Sequence, residues 1–441
     1  MLIYRGRMPT PRSVDRGHAC FQITTCMLVV LVSGLLPLSS VLAQDVMPLT
    51  LQEAEALALH DEPGRNSYLS HAEAFREESV AGGQLPDPTM RVGMANFPIQ
   101  SGGFTTEGMT QAQLGVRQVF PAGETRKLTT AKFQSLATEM SYKADGRGRD
   151  VLTAVRIAWL ETFYWRDAHQ IATESRPFFD DLVTITRSLY AVGRKSQQDV
   201  LRAELELSRL DDRIIDMRKQ HSRSQASLSE WVGVESARPV ASGLPEWIVV
   251  PPLELLKKDI ETHPAILAAD ANVSARVIGV DLAEQKYKPD WALDLAYGYR
   301  DGFLPNGAPR SDFVSLSVTI DLPFFRRNRQ DRSLAVALKQ KRAAGESREE
   351  LLRRLSSRLE SEYVRWQELG RRLDLYEKSI LGVSADNAIA ALAAYQSDTG
   401  DFADAMRGYV DDLNTRIDHI HLQVERAQSF AVLANLGGIS R

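Results

Sequence analysis

The residues with the most chemistry available to them gather at two short turns. Gly193-Arg194-Lys195-Ser196 and Asp398-Thr399-Gly400-Asp401 each interrupt a long helical pattern, and Asp404 follows the second. Glycine permits a tight reversal, and Ser196 and Asp401 are natural N-caps for the returning helices. Arg194, Lys195 and Asp398 have two readings: they bond across neighbouring helix ends and hold a tip shut, or they are solvated loop charges. Asp404, on residue type alone, is a first-turn carboxylate favoured by the helix dipole. Elsewhere the chemistry is thin. His419-Ile420-His421 puts its rings on different helix faces, since residues two apart do not face each other. His60 and His263 hold equivalent positions in two halves of the chain and read as structural. Met90 and Met94 share a strand face and read as apolar surface before soft-metal ligands. No nucleophile–base pair, phosphate loop or HExxH-like motif occurs, so the expectation is no enzyme, no cofactor and no resident metal.

The elements that position these turns come in duplicate. Pro86-Asp87 recurs as Pro289-Asp290, Leu114-Gly115-Val116 as Leu316-Ser317-Val318, and Tyr190 with Asp199-Val200-Leu201 as Tyr395 with Asp404-Ala405-Met406. A period of about 203 residues is too long for a solenoid and marks a duplicated structural unit. The first unit spans 44–232, with strands predicted at 89–97 and 111–120 and a helical hairpin over 124–232. The second spans 263–436, with strands at 291–300 and 313–322 and a hairpin over 330–436. A proline-rich crossover belt, 233–262, joins them, and 437–441 is a tail. Pro177 and Gly382 fall at matching points of the two hairpins, so a kink or break is expected at the same level in each.

The strands alternate. Met90, Val92 and Met94 oppose Arg91, Gly93 and Ala95, while Trp291, Leu293, Leu295, Tyr297 and Tyr299 oppose Ala292, Asp294, Ala296, Gly298 and Arg300. Their length suits a tilted membrane-crossing strand, and the flanking aromatics suit an interfacial girdle. A half-buried soluble sheet would alternate identically. Four strands cannot close a barrel, and open edges are forbidden in lipid. Two copies would give eight strands with a filled interior, and three would give twelve with a lumen.

The chain has 441 residues and a formal net charge of −4, so no basic excess points to nucleic acid. Residues 1–43 read as a secretory signal: arginines, an apolar run from Met27 to Leu38, and Val41-Leu42-Ala43 before Gln44. That run is short of the ~20 residues of a spanning helix. Both cysteines, Cys20 and Cys26, lie in the 1–43 signal segment, which leaves no disulfide or thiolate site expected in the exported chain.

Leu85-Pro86-Asp87-Pro88, Gln118-Val119-Phe120-Pro121, the series Tyr190…Gly193…Ser196…Asp199-Val200-Leu201 and the duplication together resemble the TolC-type outer-membrane efflux channels over residues 48–436. Asn96-Phe97-Pro98 and Met109-Thr110-Gln111 look most like the heavy-metal, CusC/CzcC-like branch. The resemblance implies a mainly α fold: a long coiled-coil helical barrel with four membrane β-strands per chain, assembled as a homotrimer in outer-membrane lipid. It implies a periplasmic tunnel docked on an adaptor (membrane fusion) protein and driven by an inner-membrane pump of the resistance-nodulation-division type. It makes Asp404 a pore-constricting carboxylate. The next ring position is Arg407, so only one of the family's two rings carries over. It makes Gly193, Arg194, Lys195, Ser196, Asp398, Gly400 and Asp401 candidates for tip gating or adaptor contact. Two departures stand out: no cysteine is placed for a lipid anchor, and Asp398 stands where a glycine is usual. The cargo expected is metal cations. The rivals are a drug, small-molecule or secretion channel and, in another class, a periplasmic coiled-coil adaptor or scaffold.

Overall fold

The structure, a computed structural model, describes residues 47–247 and 249–439. The expected secretory segment, 1–43, and the last two residues of the tail lie outside the described residues. Two helices, α1 (Leu51–Leu59) and α2 (Pro63–Gly82), precede the hairpin β1 (Thr89–Ala95) and β2 (Gln111–Phe120). Then come α3 (Thr125–Ala191) and α4 (Gln197–Val232). The inter-repeat belt carries α5 (Leu253–Ile260), and the second repeat supplies α6 (Pro264–Gln285), β3 (Trp291–Tyr299), β4 (Phe313–Ile320), α7 (Gln330–Leu375), α8 (Leu381–Gln396) and α9 (Phe402–Gly437).

The two hairpins join in one antiparallel sheet of order β1-β2-β3-β4. Its register sorts the side chains by chemistry. Val92, Leu114, Tyr297 and Val314 form one row across the sheet, and Met90, Val116, Leu295 and Leu316 the next. The alternate rows, on the other face, are Arg91, Gly115, Ala296 and Ser315, then Thr89, Arg117, Asp294 and Ser317. The apolar rows are uncovered: Met90, Val92 and Val314 are 71%, 73% and 73% exposed. A soluble half-buried sheet would pack that face on a core. Here nothing among the described residues covers it.

With 67 residues, α3 runs about 100 Å. Three larger apolar clusters among the described residues hold it and its neighbours, with a small one at Leu369, Leu373 and Leu422. At mid-length, Val151, Val155, Trp159, Leu160 and Phe163 of α3 meet Leu228 and Val232 of α4, Val424 of α9, and Leu49 and Val240. Toward the turns, Phe179, Leu182 and Val183 meet Leu210, Tyr395, Phe402 and Leu413. A third cluster joins Leu256 and Ile260 of α5 to Leu359 of α7 and Leu433 of α9. The segment before α1 is stitched to the inter-repeat segment as a short parallel bridge. Leu49 N donates to Pro239 O at 2.8 Å, and Leu49 O accepts from Ala241 N and from Trp159 Nε1, both at 3.0 Å.

The expected matching kinks take a different form. Pro177 lies inside α3, which continues through it. One missing N–H does not end a helix packed on both α4 and α9. In the second repeat the irregularity is a π-helical turn, Tyr376–Ile380, between α7 and α8 and just ahead of Gly382. Such a turn adds a residue to the helical register without breaking the chain direction.

Trp159 is 1% exposed and is the central side chain of the mid-length cluster. Trp159→Ala is expected to destabilise the detergent-solubilised protein by about 3–5 kcal/mol in denaturant unfolding. Trp159→Phe, which keeps most of the volume but loses the bond to Leu49, should cost about 1 kcal/mol. Equal losses for the two would show that the hydrogen bond, not the packing, dominates.

Candidate functional site at the helical tip

The two turns meet at one end of the bundle. Gly193 has φ +74°, and its N–H donates to Tyr190 O at 2.9 Å, while Arg194 N donates to Leu189 O at 2.9 Å. Ser196 caps α4: its side chain accepts from Asp199 N at 3.3 Å. In the second turn the left-handed residue is Asp398, with φ +66°. This is the repeat-equivalent of Gly193, so the backbone of the first turn is kept where the glycine is not. Aspartate tolerates this region better than most residues because its short side chain bonds locally. Gly400 serves another need. A Cβ there would lie 2.9 Å from Ala394 Cβ and 3.1 Å from Tyr395 N, so the turn closes against its own helix only around a glycine. Asp401 holds the N-cap position of α9 with extended backbone, but its side chain makes no cap bond.

Lys195 ties the turns together. Its Nζ lies 2.7 Å from Asp398 Oδ1, donates to Gly400 O at 3.5 Å, and stands 4.9 Å above the Tyr395 ring. Tyr395 is fully buried and packs edge-on against Phe402. Arg194 stands further off, 3.9 Å from Asp398 Oδ2. The hydrogen bond from Lys195, its charge and that of Arg194 hold the Asp398 carboxyl below its ordinary value of 3.8, and Asp398 in turn raises Lys195. A lowered carboxyl contributes stability that is present above its ordinary pKa and lost as pH falls through the lowered one. A raised lysine contributes stability that is lost as pH rises through the raised pKa, so the tie persists across neutral pH and fails in strong acid at Asp398 and in strong base at Lys195.

Asp404 is not part of this network. It is exposed on the first turn of α9 and pairs with Arg407 at 3.3 Å. The structure thus brings Arg194, Lys195, Asp398 and Gly400 together and leaves Asp404 with a partner one turn along its own helix. The sequence singled out Arg407 as the departure from a second acidic ring, but not as the ion-pair partner of the first. An i,i+3 Asp–Arg spacing would have carried that signal.

The histidines are dispersed. His263 caps α6 by accepting from Ala265 N at 3.2 Å and faces Asn435, and burial lowers its pKa. His419 lies 3.5 Å from Glu377, and His421 lies 3.9 Å from Glu425 and against the Tyr164 ring. Among the described residues no group of three or more His, Cys, Asp or Glu could hold a metal ion. At the opposite end of the molecule two further features went unread in the sequence. On the polar face of the sheet Asp294 accepts from Thr319 at 3.2 Å and lies 4.0 Å from Arg117. Arg310 Nη1 gathers the carbonyls of Thr105, Glu107 and Asp301, so the β1–β2 and β3–β4 loops are clasped together.

No helix among the described residues is long and apolar enough to cross a membrane. No family model matches the chain. Protein CyaE of Bordetella pertussis is 27% identical over 309 residues, which is 66% of this chain and 63% of CyaE, so the match spans less than two thirds of that relative's length. The outer-membrane channel OprN superimposes with a TM-score of 0.74 at 16% identity, over 88% of this chain and 90% of its own. CusC, whose crystal structures concern transmembrane channel formation, superimposes with a TM-score of 0.75 at 13% identity, over 89% and 93%. The fold is that of the TolC-type outer-membrane channels: a mainly helical barrel with a small antiparallel sheet.

Removing the tie should loosen the tip and nothing else. Asp398→Gly keeps the left-handed turn and deletes the ion pair, whereas Asp398→Ala deletes the pair and strains the backbone. The amides of Thr399 and Gly400, which donate to Ala394 O, are expected to exchange several-fold faster in Asp398→Gly and faster still in Asp398→Ala, with global unfolding unchanged. Exchange at the wild-type rate in both variants would show that the tie does not hold the turn.

Proposed function

We propose that this chain is the passive exit duct of a tripartite efflux system in the outer membrane. Three copies close their four-stranded sheets into one twelve-stranded barrel, and their helices form a tunnel into the periplasm. The tip docks on a periplasmic adaptor, and an inner-membrane pump of the resistance-nodulation-division type supplies the energy. The duct catalyses nothing and carries no cofactor.

The observation that carries this reading is the sheet. Among the described residues one face is apolar and uncovered, the other is polar, and the outer edges of β1 and β4 have no partner strand. Lipid against the first face and water against the second satisfies both. Unpaired backbone is not tolerated in hydrocarbon, so the edges must pair with other copies. Three copies rather than two leave room for a lumen. The fold shared with OprN and CusC supports the same assembly.

For cargo we favour heavy-metal cations, on the resemblance of Asn96-Phe97-Pro98 and Met109-Thr110-Gln111 to the metal branch. A second reading, a channel for drugs, other small molecules or secretion, is favoured by the Asp404–Arg407 pair, because a charge-compensated mouth does little to select cations. A periplasmic scaffold is disfavoured by two hairpins and a lipid-ready sheet in one chain.

Fractionation tests the class: the protein should resist high salt and leave the membrane only in detergent, migrating as a trimer, whereas release by salt would make it a scaffold. Sensitivity of a deletion strain, scored in parallel on copper, silver, zinc, cobalt and several antibiotics, tests the cargo. Loss of resistance to one or two metals supports the metal reading, and loss of resistance mainly to drugs overturns it. In planar bilayers Asp404→Asn should reduce cation preference and block by multivalent cations, since it leaves Arg407 unpaired. Unchanged selectivity would remove Asp404 from the pore.

A further inference from the structure

A cavity of about 1010 Å3 opens where the strands hand over to the helices, between α3, α6 and α7. Its walls carry Lys132, Arg276, Lys286, Lys288 and Arg329, against the carboxylates Asp290 and Asp321. Five cations against two anions leave an excess of three positive charges in one concavity. One of the carboxylates is already engaged, since Asp290 Oδ1 accepts from Ala122 N at 2.6 Å. Lys288 donates to Gln285 Oε1 at 2.8 Å. Lys132, Arg276, Lys286 and Arg329 form no ion pair among the described residues. This is unlike the helical wall just beyond, where Lys143 pairs with Glu139, Arg147 with Glu62 and Arg348 with Asp270 at 2.7–2.8 Å. Gln330, also on the cavity wall, has its Oε1 buried without a donor. Its amide can turn over to present N–H instead.

Strand alternation fixes the side on which the cavity opens. Trp291 and Ile320 lie opposite each other on the apolar face. Asp290 and Asp321 are the next residues outward, so they belong to the polar face. The cavity therefore faces away from the lipid side of the sheet, toward water.

We propose that this cavity is a binding site for a small multivalent anion bearing phosphate-like or clustered carboxylate groups, held by Lys132, Arg276, Lys286 and Arg329. Unpaired like charges in one concavity raise the local concentration of such an anion, and arginines add forked hydrogen bonds. Resting on the duct reading, three copies would set three such sites around the inner mouth of the barrel. They would form a basic collar that every solute passes and that retains anions over cations.

The probe is inorganic pyrophosphate, titrated calorimetrically into the purified full chain in detergent. Wild type is expected to bind it, with affinity falling as salt rises, and Lys132→Gln/Arg276→Gln/Arg329→Gln to bind at least tenfold more weakly. The control Arg209→Gln/Lys219→Gln, exposed on α4, should bind as wild type does. Equal binding by the triple variant, or equal loss in the control, overturns the site. Displacement of pyrophosphate by phosphatidylglycerol in mixed micelles would assign the cavity to a lipid headgroup and overturn a soluble occupant. The same proteins in planar bilayers separate the two readings. Binding without any conductance sinks the duct and leaves the site, while normal conductance without binding sinks the site and leaves the duct.

Discussion

A backbone amide or carbonyl in hydrocarbon must find its partner within protein. In the outer-membrane placement proposed above, that constraint governs the whole chain. A sheet of four strands has two edges, and among the described residues both are bare, β1 on one side and β4 on the other. The face between them is a field of valine, leucine, methionine and tyrosine open to its surroundings. Neither feature is stable for a lone copy in water. Both are resolved at once when further copies pair the edges and lipid takes the face.

The helices solve a different problem, that of staying parallel over many turns with little core. They do so with separated clusters rather than one continuous interior, and with small residues where backbones approach. Gly408 is an example: a Cβ there would lie 3.0 Å from Ala388 Cα, so α8 and α9 touch at the backbone. The stitch of Leu49 to Pro239 and Ala241, with Trp159 donating into it, acts as a strap around mid-length. It fixes the segment before α1 and the inter-repeat segment against α3. Arg238 reinforces the strap through Glu53 and Glu235.

What could be read in advance was what repeats or alternates. Period-two patterning at Met90–Met94 and Trp291–Tyr299 assigned each side chain to its face, and the register preserves that sorting. The reversals at Gly193 and near Gly400 were legible as turns because glycine interrupts helix. Their inner workings were not. Gly400 looked like a displaced turn glycine, whereas the left-handed residue is Asp398 and Gly400 is there for clearance. Pro177 looked like a break, but tertiary packing carries α3 through it. Pairings that cross the two repeats, such as Lys195 with Asp398, cannot be read from local spacing because the partners meet only once both hairpins are formed. The basic cavity is illegible for the same reason: its cations come from α3, α6, the strand ends and α7.

The charges along the proposed path have an order. At the tip, Lys195 is spent on Asp398 and Arg407 on Asp404, so the mouth is compensated rather than strongly acidic. Within the sheet, Arg117 and Asp294 face each other at 4.0 Å and again roughly cancel. Between these two balanced levels lies the cavity with its excess of cations. Field strength in a narrow, low-dielectric passage follows uncompensated charge, not the number of charged residues. In the duct proposed above, the level with the most uncompensated charge is therefore the junction of sheet and helices. At the tip, loss of the Asp404 charge would free Arg407 and add a second uncompensated level to the same path.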